Sequence, residues 1–173
     1  MILPWKAKIP SRHVRNILRI TEWGEIMDEM RKVLVVDDDE IVRLSHMRSL
    51  AGQSCKVEAA RGGEEALENM QTEPADVVLM DLRMPGMDGL AALKTIKEKW
   101  PATEVVIITG YPSVVTAREA VRLGAFDYLP KPAGPDKVLA VANEAMEQRL
   151  APSQEEKEGR KKNPQKGWAK YLG

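Results

Sequence analysis

The strongest constraint on the fold is a regular alternation between short apolar runs and helix-like stretches. Val33-Leu34-Val35-Val36, Val77-Val78-Leu79-Met80 and Val105-Val106-Ile107-Ile108 are uninterrupted apolar runs of strand length. Such a run suits a strand covered on both faces, as in a parallel sheet. Lys56 to Ala60 and Phe126 to Leu129 read as weaker strands. Between the runs, apolar residues recur at near-helical spacing. Glu40 to Ala51 carries Ile41, Leu44, Met47 and Leu50, and Gly63 to Gln71 carries Ala66, Leu67 and Met70. Gly89 to Trp100 carries Leu90, Leu93, Ile96 and Trp100, and Ser113 to Leu123 and Asp136 to Leu150 follow. Gly52, Pro101 and Gly124 stop three of these helices. Five strands alternating with five helices predict an α/β fold, a doubly wound five-stranded parallel sheet with helices on both faces.

In sheets of this kind ligands bind beyond the carboxyl ends of the strands. Asp37 and Asp38 end the first run, Asp81 the third and Thr109 the fourth, and Lys131 lies just past the fifth. Each has an ordinary explanation taken singly: turns are solvated, a threonine hydroxyl can cap a backbone group, and most lysines are exposed. Their convergence on one edge is the informative observation. Three carboxylates held close together need a cation between them. Hard oxygen donors with no His or Cys beside them point to Mg²⁺ rather than zinc. Lys131 suits a phosphoryl oxygen as a point charge, and Thr109 offers it a hydroxyl. Asp81 is then a carboxylate nucleophile able to form an acyl phosphate, with transfer achieved by positioning and charge neutralisation. Neither His13 nor His46 lies at a strand end, so the phosphoryl donor is expected outside this chain.

Composition narrows the class. The 173 residues suffice for one ordinary domain with tails. With 26 basic and 26 acidic residues, no overall field draws the chain to nucleic acid. The single Cys55 excludes an internal disulfide and reads as a small buried side chain. No apolar stretch approaches the roughly 20 residues of a membrane span, and the first residues lack the order of a secretory signal. A cytoplasmic protein with no membrane partner is expected.

VLVVDDDE from 33 to 40, DVVLMDLRMPGMDG from 76 to 89, VVIITGYP from 105 to 112 and GAFDYLPKP from 124 to 132 resemble a response-regulator receiver domain of a bacterial two-component system. The likeness covers residues 31–150, and TGYPSV and FDYLPKP are similar to receivers of ATPase-type transcription activators. The resemblance implies a flavodoxin-like sheet in the order 2-1-3-4-5 and a phosphorylation switch served by a histidine kinase or phosphotransfer protein. It makes Asp81 the phosphoacceptor and implies Mg²⁺ held by Asp38, Asp81 and the Arg83 backbone carbonyl, with Asp37 acting through water. It makes Lys131, followed by a cis Pro132, the phosphate-binding lysine. Thr109 and Tyr128 match the switch pair, Tyr128 turning into space that Thr109 vacates. Arg83 and Tyr111 fall at two variable positions that tune dephosphorylation, and their bulk is expected to hinder the attacking water. The fourth helix, fifth strand and fifth helix would form the output face, open to a homodimer or to a partner of unknown identity.

The alternative is an aspartyl-nucleophile phosphatase-type hydrolase. Its haloacid-dehalogenase-like form places a second acid two residues after the nucleophile, where this chain has Arg83. A structural interaction module without phosphorylation is the third reading. Residues 151–173 form a charged tail with a basic end, too short for an ATPase or DNA-binding domain, and read as solvated although Trp168 and Tyr171 are able to dock. A stand-alone receiver, or one that works through a partner, is expected. Residues 1–30 form an extension in which Ser11 can cap a helix carrying Val14, Ile17 and Leu18. Met27 to Val33 also reads as a receiver start, and the G-rich codons of Trp23-Gly24-Glu25 can serve as a ribosome-binding site, so Met27 or Met30 is the competing start.

Overall fold

The computed structural model describes residues 31–150, and the readings made for residues 1–30 and 151–173 lie outside them. Five strands, β1 (Arg31–Val36), β2 (Cys55–Ala60), β3 (Val77–Met80), β4 (Glu104–Thr109) and β5 (Asp127–Pro130), pair in parallel in the order β2-β1-β3-β4-β5. The helices between and after them are α1 (Glu40–Ser49), α2 (Gly63–Thr72), α3 (Gly89–Lys99), α4 (Val114–Arg122) and α5 (Pro135–Leu150). This is the doubly wound, flavodoxin-like sheet expected from the sequence. No helix among the described residues is long and apolar enough to cross a membrane.

The period-2 geometry of a strand sends successive side chains to opposite faces. Leu34, Val36, Val78, Met80, Val105 and Ile107 meet Ala66 and Met70 of α2, Leu93 and Ile96 of α3, and Ala117 and Ala120 of α4. Val33, Val35, Val77, Leu79, Val106 and Ile108 meet Val138, Val141, Ala142 and Ala145 of α5 on the other face. All residues of β3 and β4 are buried. Each large aliphatic side chain so buried contributes about 1.5–3 kcal/mol of transfer free energy.

Register aligns the strand ends. Val36 pairs with Met80, Met80 with Ile107 and Ile107 with Tyr128. The Asp37 amide then donates to the Ala60 carbonyl (3.2 Å), and the Asp81 amide to the Val36 carbonyl (2.9 Å). Both aspartates are therefore held by continuations of the sheet ladder.

One face departs from the sequence reading. Ile41 and Leu44 are 81% and 43% exposed, while His46 and Leu50 of the same segment are buried. Nine residues separate Ile41 from Leu50, about two and a half helical turns, which places them on opposite sides of α1. Cys55 is half-buried at the start of β2, and burial pushes its thiol up, away from reactive thiolate.

Candidate functional site

The site is built at the carboxyl edge of β1 and β3 and closed by the chain leaving β5. Asp37, Asp38 and Asp81 each bring a carboxylate oxygen within 4.8 Å of the others. Asp37 and Asp81 are buried and Asp38 is exposed, so the cluster is open on the Asp38 side. It is the only such group of three among the described residues. Asp39, the third acid of the run, has a separate task. Its Oδ1 accepts from the amides of Ile41 (2.8 Å) and Val42 (3.2 Å) and caps α1. That cap fixes where the loop carrying Asp37 and Asp38 ends.

Lys131 bridges the two buried acids. Its Nζ lies 2.6 Å from Asp37 Oδ2 and 2.9 Å from Asp81 Oδ2. Its amide donates to the Thr109 carbonyl (2.8 Å), and the Lys131–Pro132 peptide is cis. Burial opposes the charge on Lys131, but the hydrogen bonds to Asp37 and Asp81 outweigh it and hold the amine above its usual value. Burial pushes Asp37 above the usual carboxylate range even though Lys131 and the Asp39 amide oppose this. One ammonium does not balance three carboxylates, and the donor set is all hard oxygen. These residues fit a divalent cation of the Mg²⁺ or Ca²⁺ type.

Backbone groups fix the Asp81 carboxylate. Oδ1 accepts from the Leu82 amide (2.6 Å), leaving Oδ2 to Lys131. The β3–α3 loop then returns over the strand end, with the Gly89 amide donating to the Leu82 carbonyl (2.9 Å). A Cβ at Gly89 would collide with the Asp81 carbonyl oxygen and the Leu82 Cα, so only glycine allows α3 to start this close. The same loop is held from α2, where Glu64 Oε1 accepts from the Met87 amide (2.7 Å).

The remaining residues singled out in the sequence divide into two groups. Thr109 is buried at the end of β4, and its Oγ1 accepts from the Tyr111 amide (3.1 Å). Arg83 lies with its guanidinium 4.3 Å from the centre of the exposed Tyr111 ring, a cation–π contact joining the loops after β3 and β4. Tyr128 is fully buried and faces inward, with its hydroxyl against the first turn of α4.

Sequence reasoning missed four contributors. Arg43 Nη1 donates to the Asp37 carbonyl (2.7 Å) from α1, and no local pattern marks it. Glu64 is likewise silent in sequence. Ser113 and Thr116 surround the Tyr128 hydroxyl, and their i, i+3 spacing at a helix start is a legible capping signal that was not connected to Tyr128.

Fold and site together define a receiver domain of a two-component signalling switch. Residues 33–143 match the model of the response regulator receiver domain, and the chain belongs to that family. The sequence is 44% identical over 114 residues to the DNA-binding transcriptional regulator NtrC of Escherichia coli, an alignment covering 66% of this chain and 24% of NtrC. It is 39% identical over 121 residues to the regulatory protein AtoC of the same organism, covering 70% of this chain and 26% of AtoC. The chain thus spans about a quarter of the curated relatives it matches. Among solved structures, NtrX of Brucella abortus superposes with a TM-score of 0.65 at 32% identity, covering 69% of this chain and 27% of that one. A CheY-like receiver of Methanospirillum hungatei gives 0.67 at 26% identity, covering 70% and 97%.

Proposed function

We propose that Asp81 accepts a phosphoryl group from a histidine kinase or phosphotransfer protein, and that the acyl phosphate so formed resets the surface of α4, β5 and α5. The observation that carries this reading is the meeting of Asp37, Asp38 and Asp81 within 4.8 Å, with Lys131 bridging two of them. In the step, a carboxylate oxygen of Asp81 forms a bond to phosphorus while the phosphorus–nitrogen bond of the donor phosphohistidine breaks. The electron pair stays on the imidazole, which takes up a proton.

In this reading Asp38, Asp81 and the Arg83 carbonyl would hold a Mg²⁺ ion, with Asp37 acting through water. When bound, the ion neutralises charge on the phosphoryl oxygens. Lys131 moves its ammonium from the carboxylates to a phosphoryl oxygen, and the Thr109 hydroxyl turns to another. Arg83 and Tyr111, stacked on each other between the loops after β3 and β4, hinder water from reaching the acyl phosphate in this reading. Exposed Val114 and Val115 (44% and 76%) give the start of α4 an apolar patch that a partner or a second copy can read. A cytoplasmic site of action is part of the same reading.

The test is incubation with Mg²⁺ and a small phosphodonor such as acetyl phosphate, followed by intact-mass measurement on the full chain and on Asp81→Asn. A persistent phosphoryl adduct in the wild type and none in the variant is expected. Rapid release of inorganic phosphate with no adduct would favour the hydrolase, and an unreacted wild type would remove both.

A further inference from the structure

The Tyr128 hydroxyl joins a set of hydrogen bonds at the first turn of α4. The Ser113 amide donates to it (3.3 Å), and it lies 2.7 Å from Thr116 Oγ1. Thr116 Oγ1 also donates to the Ser113 carbonyl (3.2 Å) and lies 2.9 Å from Ser113 Oγ, which itself accepts from the Thr116 amide (3.1 Å). Counting protons orients the whole group. For every one of these contacts to be a hydrogen bond, Thr116 must give its single hydroxyl proton to the Ser113 carbonyl and accept from both Ser113 Oγ and Tyr128. Thr116 is therefore the acceptor that this set provides for the proton of a fully buried phenol.

The same group is joined to the phosphoacceptor edge. The β4–α4 loop is tied at its start by the Tyr111 amide on Thr109 Oγ1, and at its end by the Ser113 amide on Tyr128. The two residues of the switch pair thus hold the two ends of one short loop. Thr116, Tyr111 and Arg83 also line one groove of about 450 Å³ between α3 and α4. The geometry points to Thr116 as a positioning residue that holds Tyr128 inward and thereby biases the switch toward the arrangement favourable to phosphorylation. A buried phenol without its acceptor is destabilised, and turning outward to water relieves it. Linkage then requires that whatever favours the inward arrangement also favours phosphorylation, if phosphorylation favours inward Tyr128. The inference rests on the reading of Asp81 given above.

The test compares Thr116→Val, which keeps the shape and loses the hydroxyl, with Thr116→Ser, which keeps the hydroxyl. The full chain is labelled with 3-fluorotyrosine, and the Tyr128 resonance is identified by its loss in Tyr128→Phe. A soluble paramagnetic agent should leave Tyr128 protected in the wild type and in Thr116→Ser, and broaden it in Thr116→Val. Modification by acetyl phosphate should slow at least threefold in Thr116→Val and stay near wild type in Thr116→Ser. Equal protection of Tyr128 in all three proteins overturns the inference whatever Asp81 does. An exposed Tyr128 with an unchanged rate overturns the link to phosphorylation. A wild type that Asp81→Asn matches in taking no phosphoryl group overturns the functional reading, and the link with it.

Discussion

At the scale of single residues, function follows from which side chain meets which charge. Lys131 spans Asp37 and Asp81, 2.9 Å from the carboxylate proposed above to accept the phosphoryl group. Lys131→Met keeps the aliphatic stem and removes that charge, so modification by a small phosphodonor is expected to fall about 10²-fold, the usual loss for a positioned electrostatic group. Initial rates followed by intact mass check this, and a rate within twofold of wild type would be incompatible with the role. Arg83→Ala and Tyr111→Ala each break the stacked pair, an interaction of about 0.5–1 kcal/mol at an exposed site. Each should speed loss of the phosphoryl group about two- to fivefold, read from adduct decay after donor removal. Unchanged decay in both would show that their bulk does not screen water. Asp37, Asp38, Asp81, Thr109 and Lys131 were legible because each lies within two residues of the end of an apolar run, where strand geometry fixes its position. Arg43 and Glu64 were not, since they act through backbone groups distant in sequence.

At the scale of elements, legibility tracked burial. β3 and β4 are buried on both faces, and their uninterrupted apolar runs announced this. α1 misled because its apolar residues at steps of three drift around the helix, leaving Ile41 and Leu44 in solvent. Element positions depend on close approaches as much as on patterns. α3 begins against the end of β3 only because Gly89 has no side chain. Gly89→Ala would force the helix start off the Asp81 carbonyl, an overpacking cost of about 1–3 kcal/mol. Urea unfolding should show that loss. Modification by acetyl phosphate should fall with it in the still-folded variant, since moving Gly89 away loosens its hold on the Leu82 carbonyl, and the Leu82 amide fixes Asp81 Oδ1. Wild-type stability in Gly89→Ala would show that the loop yields without cost.

At the scale of the whole molecule, the two ends of the sheet differ in charge balance. The carboxyl edge gathers three aspartates around one lysine. Toward the amino end, charge is matched: Lys32 lies 2.6 Å from Glu58 and 3.3 Å from Glu73, and Lys56 lies 2.9 and 2.7 Å from the same two acids. Burial opposes the Glu58 charge, but its hydrogen bonds to Lys32 and Lys56 outweigh this and hold it below the usual glutamate value. Hydrogen bonds from Lys56 and Lys32 do the same for Glu73. A carboxylate with a lowered folded value contributes stability that is present above its unfolded value of 4.5 and lost as pH falls through the folded one. Asp37 has the opposite sign. Raised by burial, it opposes folding above its folded value, and that opposition is relieved as pH falls toward 3.8. The two edges therefore partly cancel in the wild type, and variants at each should separate them. In EDTA, urea unfolding from pH 7 to pH 3 should show a shallower acid loss for Lys32→Met, whose glutamates lose their buried cation. Asp37→Asn should be more stable than wild type at pH 7 and lose stability more steeply below pH 5. Parallel curves for all three proteins would mean that neither edge governs acid stability. The expected divergence would show a sheet secured at one end by matched charge and left frustrated at the other, where a divalent ion and a phosphoryl group can relieve the imbalance.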